Sequence, residues 1–249
     1  MSTALEAWGV PVAKGFRPEN VLTRRPDLVV IGNAVRAENP EARAAIDAGL
    51  PYLSFPDALY QHAIEGKHSV VVAGTHGKTT TGSIIATLLF ETGRDPSMLV
   101  GGITANFDGS FRDGSGSDFV VEGDEYDTAF FDKTPKFLHY HARTLVITSV
   151  EFDHADIYRD LGQVKDAFRK LVRSMPAEGV IIAAVGEPNV ADVVAGAPCR
   201  VISYAIDGEG EAELRAGALQ AIPAGTRFDL IREGVVVARP EVPVHGRHN

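Results

Sequence analysis

The junction VVVAGTHGKTTTG at residues 70–82 constrains the fold more than any other feature of the sequence. Three consecutive valines are typical of a short strand buried on both faces, and an amphipathic helix is expected after the glycines. A strand that ends in a glycine-containing turn and opens a helix presents backbone N–H groups at the positive end of the helix dipole. The junction therefore predicts a phosphate-binding loop; the alternative is a tight turn followed by a surface lysine.

The side chains of the loop have expected roles in such a site. Lys78 would reach the terminal phosphates, and Thr79 would place its hydroxyl on Mg²⁺. Gly74 and Gly77 would let the backbone approach the ligand closely. The match to the pattern G-x-x-x-x-G-K-[ST] is incomplete, because the first glycine comes too late in the chain. The predicted nucleotide-binding residues of this stretch are Gly74, Thr75, His76, Gly77, Lys78, Thr79 and Thr80.

Strands alternate with helices along most of the chain, which predicts an α/β fold whose parallel sheet is covered on both faces. The expected strands lie within residues 28–31, 68–73, 118–125, 144–154, 179–185 and 200–206, and expected helices cover residues 40–48 and 161–175. Beyond residue 206, short alternating strands with a hairpin turn at Glu233-Gly234 predict an antiparallel appendage. The glycine- and serine-rich residues 108–118 predict a mobile loop.

A weak point before residue 67 predicts two domains. We expect a partial N-terminal α/β domain at residues 1–66 and a central domain with a P-loop-type parallel sheet at residues 67–249.

Composition excludes several classes of protein. The formal net charge of −9 argues against nucleic acid as the main partner, because binding to a phosphate backbone normally needs a basic patch. Cys199 is the single cysteine, so no internal disulfide forms, and a reducing, cytoplasmic location is expected. No stretch reaches the roughly 18 apolar residues of a membrane span. We therefore expect neither nucleic acid nor membrane among the partners.

An acidic cluster follows the strand predicted at residues 118–125. Glu122 lies at the C-terminal end of this strand, where ligands bind in open parallel sheets. Its carboxylate could complete the coordination of a phosphate-bound Mg²⁺. Asp124 and Glu125 are as consistent with a solvated acidic turn as with a site.

The strand predicted at residues 144–154 ends in a similar way, with Glu151, Asp153 and His154. A lone histidine after a strand is usually a polar loop residue. Three potential ligands beside a phosphate loop instead favour a second metal site, because two cations would neutralise charge and align groups in phosphoryl transfer. A serine-protease-like triad and a zinc site are both unsupported, because no G-x-S-x-G or H-x-x-x-H pattern is present.

Four stretches of the sequence together resemble the Mur ligase family of ATP-dependent amide-forming enzymes. They are GTHGKTTT, VVEGDEYDTAFFDK, EFDHADIY and the terminal GRHN, and they occur in the family's order. The resemblance implies an N-terminal Rossmann-like domain for the UDP-sugar, a central domain for ATP and a C-terminal domain that closes over both. It also implies that ATP activates a carboxylate as an acyl phosphate, which an amine then attacks.

The resemblance further implies roles for individual residues. Lys78 would neutralise the β- and γ-phosphates, Thr79 and Glu122 would hold one Mg²⁺, and His154 would serve a second metal ion. Asn249 would lie at the adenine. Lys78, Glu122 and His154 are thus the expected catalytic residues, and ATP and Mg²⁺ the expected cofactors. The implied partners are UDP-N-acetylmuramate and the murein tripeptide.

Other interpretations remain open at this point. An L-alanine-adding ligase or a folylpolyglutamate synthetase would belong to the same superfamily, whereas a P-loop nucleotide-binding protein would hydrolyse or bind ATP without ligation. Relative to the family, both ends of the chain look cut, and a decayed product is a third possibility. We expect ATP or ADP binding at best, and no measurable ligation, from these 249 residues alone.

Overall fold

The computed structural model of the chain describes residues 2–153 and 157–245. These residues form two compact units. Among the described residues, the first unit comprises residues 2–59 and 127–134, and the second comprises residues 60–126, 135–153 and 157–245. The domain boundary expected between residues 66 and 67 stays a prediction, and the contacts divide the chain a few residues earlier.

The first unit is a small α/β arrangement. Its elements are α1 (Ser2–Ala7), α2 (Pro18–Leu22), β1 (Val29–Ile31), α3 (Pro40–Asp47), β2 (Tyr52–Ser54) and α4 (Phe55–Leu59). β1 and β2 pair in parallel. The connecting helix α3 begins where Asn39 Oδ1 accepts hydrogen bonds from the N–H groups of Glu41 and Ala42, at 2.9 and 3.2 Å, as expected of an N-cap.

A short segment from later in the chain belongs to this first unit. Residues 127–134 form a compact turn in which Thr128 N donates to the Thr134 carbonyl at 3.0 Å. The Phe131 ring meets the Tyr52 ring edge-on, with 5.2 Å between centroids. This aromatic contact joins the segment to the first unit, with which it clusters.

The second unit contains the remaining elements. They are β3 (His68–Ala73), α5 (Lys78–Glu91), β4 (Ser97–Thr104), β5 (Gly109–Arg112), β6 (Asp118–Gly123), β7 (Thr144–Ile147), α6 (Leu161–Arg173), β8 (Val180–Ala184), α7 (Pro188–Val194), β9 (Arg200–Ile206), β10 (Leu214–Ile222), β11 (Gly225–Arg232), β12 (Val235–Ala238) and β13 (Glu241–Val242). Short helical turns lie at Tyr60–Ile64 and Lys136–Tyr140.

The strands of the second unit form one sheet, which has eleven strands among the described residues. Its order is β12, β11, β10, β9, β8, β7, β3, β6, β4, β5, with β13 paired to β11. All neighbours from β4 to β10 are parallel. The central strands β3 and β6 are almost wholly buried, because helices cover a parallel sheet on both faces. The predicted α/β class with a large, mainly parallel sheet is confirmed.

Each edge of the sheet differs in one way from the sequence prediction. β10 to β13 are antiparallel with a turn at Glu233 and Gly234, as predicted, but β10 pairs in parallel with β9 and continues the main sheet. At the other edge, the mobile loop predicted at residues 108–118 is wrong for Gly109–Arg112, which form β5 against β4. Backbone pairing with β4 orders residues whose composition favours a loop.

Helix α5 packs on the central strands through a small apolar cluster. Ala86 of the helix lies with Val70 of β3, Met98 and Val100 of β4 and Val120 of β6, all buried. This packing fixes the start of α5 relative to the ends of β3 and β6, and so sets the geometry of the loop between them.

In the described parts of the chain, no helix combines the length and the apolar character needed to cross a membrane.

Candidate functional site

The candidate site lies in the second unit, where the ends of three parallel strands meet. β3 ends at Ala73, which is in register with Gly123 of β6 and Ile147 of β7. The loop of residues 74–77 leads from β3 into α5, so the residues that follow β6 and β7 surround it. This carboxyl edge is where open parallel sheets bind ligands.

Gly74 gives the loop its path. Its φ of +144° is in a region that L side chains rarely adopt. A Cβ here would lie 2.1 Å from Thr148 Oγ1 and 3.0 Å from Ser149 N. The loop backbone is therefore in close contact with the segment that follows β7, and only glycine fits this position.

Thr75 and His76 brace the loop against the same segment. The Thr75 N–H donates to the Ser149 carbonyl at 3.0 Å, and the His76 N–H donates to Ser149 Oγ at 3.0 Å. Thr75 Oγ1 accepts from Glu151 N at 2.8 Å. These two amides are engaged within the chain, so phosphate contacts from Thr75 and His76 stay a prediction.

For binding a phosphate, the backbone N–H groups at the N-terminus of α5 are better placed than those of Thr75 and His76. The first four N–H groups of a helix have no intrahelical acceptor, and they lie at the positive end of the helix dipole. In α5 these groups belong to the residues from Gly77, the N-cap with φ of +79°, to Thr80. This end of the helix can therefore accept an anion.

Lys78 is held at the mouth of the loop by a buried carboxylate. Its Nζ lies 2.6 Å from the Gly74 carbonyl oxygen, 3.3 Å from the Thr75 carbonyl oxygen and 3.1 Å from Glu125 Oε2. The Lys78 and Glu125 side chains are only 12% and 3% exposed. Glu125 is thus a member of the site and not a solvated turn residue.

Thr79 and Glu122 meet beside the lysine. Thr79 Oγ1 donates to Glu122 Oε2 at 2.7 Å, and the Gly101 N–H of β4 donates to the same oxygen at 2.7 Å. Two neighbouring oxygen ligands of an octahedral Mg²⁺, each about 2.1 Å from the ion, are about 3 Å apart. The hydroxyl and the carboxylate could therefore serve as two neighbouring ligands of Mg²⁺.

The turn after β6 is fixed by its own network. Asp124 Oδ2 accepts from Lys136 Nζ at 2.8 Å, and Tyr158 Oη donates to the Glu125 carbonyl at 2.7 Å. Burial, together with the carboxylates of Asp124 and Glu122, raises the pKa of Tyr140 well above its ordinary value. The turn that carries the acidic cluster is therefore held by hydrogen bonds from Lys136 and Tyr158.

The second predicted metal site is only partly described. His154 and Asn249 both lie outside the described residues. Glu151 and Asp153 are exposed, and Glu151 Oε2 lies 3.9 Å from His76 Nε2. Among residues 2–153 and 157–245, no group of three histidine, cysteine or acidic side chains could hold a metal ion. The second metal site stays a prediction.

A separate cavity of about 300 Å³ lies at the opposite, amino-terminal edge of the sheet, near Lys67, His68 and Arg143. Lys67 Nζ already donates to Ser97 Oγ at 2.7 Å, and His68 Nε2 lies 2.8 Å from Thr144 Oγ1. Ligands of parallel sheets bind at the other edge, so this cavity is not the candidate site.

The sequence patterns do not reveal two contributors to the site, Ser149 and Gly101, and leave the role of Glu125 undecided. Glu125 had been left open between a site and a solvated turn, and its lysine partner is 47 residues away. Ser149 lies inside the strand predicted at residues 144–154, whereas β7 ends at Ile147, so Ser149 is part of the loop that follows the strand. Gly101 lies in β4, a strand that the sequence pattern did not reveal.

Comparison with known families decides which family the chain belongs to. The family model of the Mur ligase middle domain matches residues 72–249, and that of the Mur ligase family catalytic domain matches residues 1–67. The first match alone covers more than half of the chain. The chain belongs to the Mur ligase family. The resemblance carried by its four motifs is confirmed.

Within the Mur ligases, the chain is similar to ligases whose names give particular substrates. The UDP-N-acetylmuramate–L-alanyl-γ-D-glutamyl-meso-2,6-diaminoheptandioate ligase of Escherichia coli is 42% identical over 195 residues, which are 78% of this chain and 42% of that protein. The crystal structure of the corresponding ligase from Neisseria meningitidis is 38% identical, with a TM-score of 0.89, and covers 99% of this chain and 77% of that one.

A Mur ligase with another named substrate is also similar. The UDP-N-acetylmuramate–L-alanine ligase of Chlorobium phaeobacteroides is 36% identical over 246 residues, which are 98% of this chain and 50% of that protein. The chain spans about half the length of the curated relatives it matches.

Proposed function

We propose that the chain is the part of an ATP-dependent amide ligase that binds ATP and the UDP-sugar. The ligase would join UDP-N-acetylmuramate to L-alanyl-γ-D-glutamyl-meso-diaminopimelate in peptidoglycan recycling, in the cytoplasm. The substrates are those named for the E. coli relative. The observation that carries the proposal is the meeting of Lys78, Thr79 and Glu122 at the start of α5.

The geometry supports binding of a nucleotide triphosphate. The N-terminus of α5 offers amides and a positive dipole, and Lys78 adds a full positive charge beside them. Mg²⁺, held by Thr79 and Glu122, would neutralise further phosphate charge. His154 for a second metal ion and Asn249 for the adenine complete the proposed set. All of these residues belong to the region matched by the middle domain of the family.

The chemistry of amide formation explains why such a site is needed. A carboxylate is a poor acyl donor, and transfer of the γ-phosphoryl group to it creates an acyl phosphate with phosphate as the leaving group. The amine then attacks the acyl carbon, and the tetrahedral intermediate collapses to the amide with release of phosphate. Bringing the anionic carboxylate to the triphosphate requires charge neutralisation and alignment, which Lys78 and the start of α5 provide.

Ligation of free L-alanine is the second candidate function. It is favoured by the 36% identity to the L-alanine ligase over nearly the whole chain. Both reactions share UDP-N-acetylmuramate and ATP, so the geometry of the phosphate loop supports them equally.

Amine profiling tests the proposal. For the protein that contains this chain, we expect ADP release that requires UDP-N-acetylmuramate and is greater with the tripeptide than with L-alanine. Greater turnover with L-alanine would move the assignment to the second candidate. ATP hydrolysis that needs neither the UDP-sugar nor an amine would instead indicate a nucleotide-binding protein without ligase activity.

A further inference from the structure

The ammonium group of Lys78 has no N–H group to spare in the described structure. An ammonium has three donors. Its neighbours are the carbonyl oxygens of Gly74 and Thr75 and the carboxylate of Glu125, at 2.6, 3.3 and 3.1 Å. A phosphate oxygen that binds this nitrogen must therefore displace one of these three acceptors.

Glu125 is the acceptor that a phosphate replaces most directly. The two carbonyl groups belong to the loop itself, three and four residues before the lysine, and stay near it as long as the loop is folded. The Glu125 carboxylate comes from the turn after β6 and carries a negative charge, as a phosphate does. Two anions would compete for the one cation.

Glu125 is also held through its backbone, and its carboxylate is buried. Tyr158 Oη donates to the Glu125 carbonyl at 2.7 Å, and the Glu125 side chain is only 3% exposed. A buried carboxylate of this kind is stable when a counter-charge lies beside it and is costly without one. Lys78 supplies that counter-charge.

We propose that Glu125 is an internal counter-ion that holds Lys78 at the loop until a nucleotide phosphate displaces it. Glu125 is then a positioning residue that acts through Lys78 and weakens nucleotide binding by competing for the same ammonium. The inference rests on the proposed nucleotide site.

Binding of Mg·ATP by calorimetry tests the competition. Glu125→Gln keeps the shape of the side chain and removes its charge, so we expect affinity for Mg·ATP to rise by about fivefold or more. The matched control is Asp127→Asn, which removes the same charge two residues further along the chain, from a carboxylate that pairs with the exposed Lys133 at 3.0 Å. It should leave the affinity within about twofold of the wild type. An unchanged or weaker affinity in Glu125→Gln would overturn the proposal.

A thermal melt without nucleotide tests the ion pair separately. Lys78→Met removes the ammonium that pairs with the buried Glu125 carboxylate and should lower Tm by about 6 °C or more. The double variant Lys78→Met/Glu125→Gln should recover most of this loss, whereas equal Tm values for the single and double variants would overturn the counter-ion assignment. If the wild type fails to bind Mg·ATP, the proposed nucleotide site fails and the displacement with it, while recovery in the double variant would still establish the ion pair.

Discussion

Gly74 is the single residue on which the path of the phosphate loop most depends. Its backbone conformation and its approach to Thr148 and Ser149 leave no room for a side chain. The pattern of residues 70–82 predicts this requirement, because a turn between a strand and a helix needs glycine. It does not reveal that Ser149 accepts hydrogen bonds from two N–H groups of the loop, those of Thr75 and His76, because Ser149 lies more than 70 residues away in the sequence.

Substitution of Gly74 should damage both stability and binding. Gly74→Ala combines backbone strain with contacts of 3.0 and 3.1 Å to the Ser149 backbone, so we expect a loss of about 3 kcal/mol or more in unfolding free energy and loss of Mg·ATP binding. Gly93→Ala is the control, because Gly93 has a positive φ of +78° but nothing within 4 Å of an added Cβ. It should lose about 1 kcal/mol and keep its affinity. Urea unfolding and calorimetry measure both quantities, and equal effects in the two variants would contradict the prediction.

Strand β4 shows what sequence patterns miss at the scale of elements. Its residues SMLVGGIT contain two adjacent glycines, which are depleted in strands, so the pattern gives no strand signal there. Pairing with β6 and β5 orders the segment, a tertiary effect that propensity does not contain. The apolar runs of β3 and β6, by contrast, were predictable because a central parallel strand must be apolar on both faces.

The contribution of β4 to the proposed Mg²⁺ site can be measured. An added Cβ on Gly101 would lie 3.0 Å from Glu122 Oε2 and 3.1 Å from Oε1, so Gly101→Ala should push the carboxylate away from Thr79. We expect Mg²⁺-dependent ATP affinity to fall about tenfold, with little change in Tm, because the charge-assisted hydrogen bond from Thr79 Oγ1 to the Glu122 carboxylate is lost. Gly109→Ala in β5 is the matched control, since the nearest atom to its added Cβ is at 3.5 Å. Equal affinity in both variants would show that Gly101 does not position Glu122.

At the scale of the whole molecule, the class of fold and the order of motifs were predictable, and the division of the chain was less so. The alternation of strands and helices predicts a parallel sheet. Two features depend on contacts that no local pattern contains. Residues 127–134 cluster with the first unit, where Phe131 contacts Tyr52, and β10 joins the antiparallel strands to the main sheet.

Stability of the whole chain should fall at alkaline pH through the partly buried phenol of Tyr204. Burial raises the pKa of Tyr204 in β9 to about 12, against about 10 in an unfolded chain. The folded state binds this proton more tightly, so the contribution is fully present below about pH 10 and is lost as pH rises towards about 12. The urea midpoint of the wild type should therefore fall relative to that of Tyr204→Phe across this window. Parallel curves for the two proteins would contradict the prediction.

The most direct measurement is a crystal structure of the chain with Mg²⁺ and a non-hydrolysable ATP analogue. We predict the β- and γ-phosphates at the N-terminus of α5, in contact with Lys78, and the ion bound by Thr79 and Glu122. A loop without phosphate at saturating analogue, or a magnesium ion that touches neither Thr79 nor Glu122, would contradict the proposed nucleotide site.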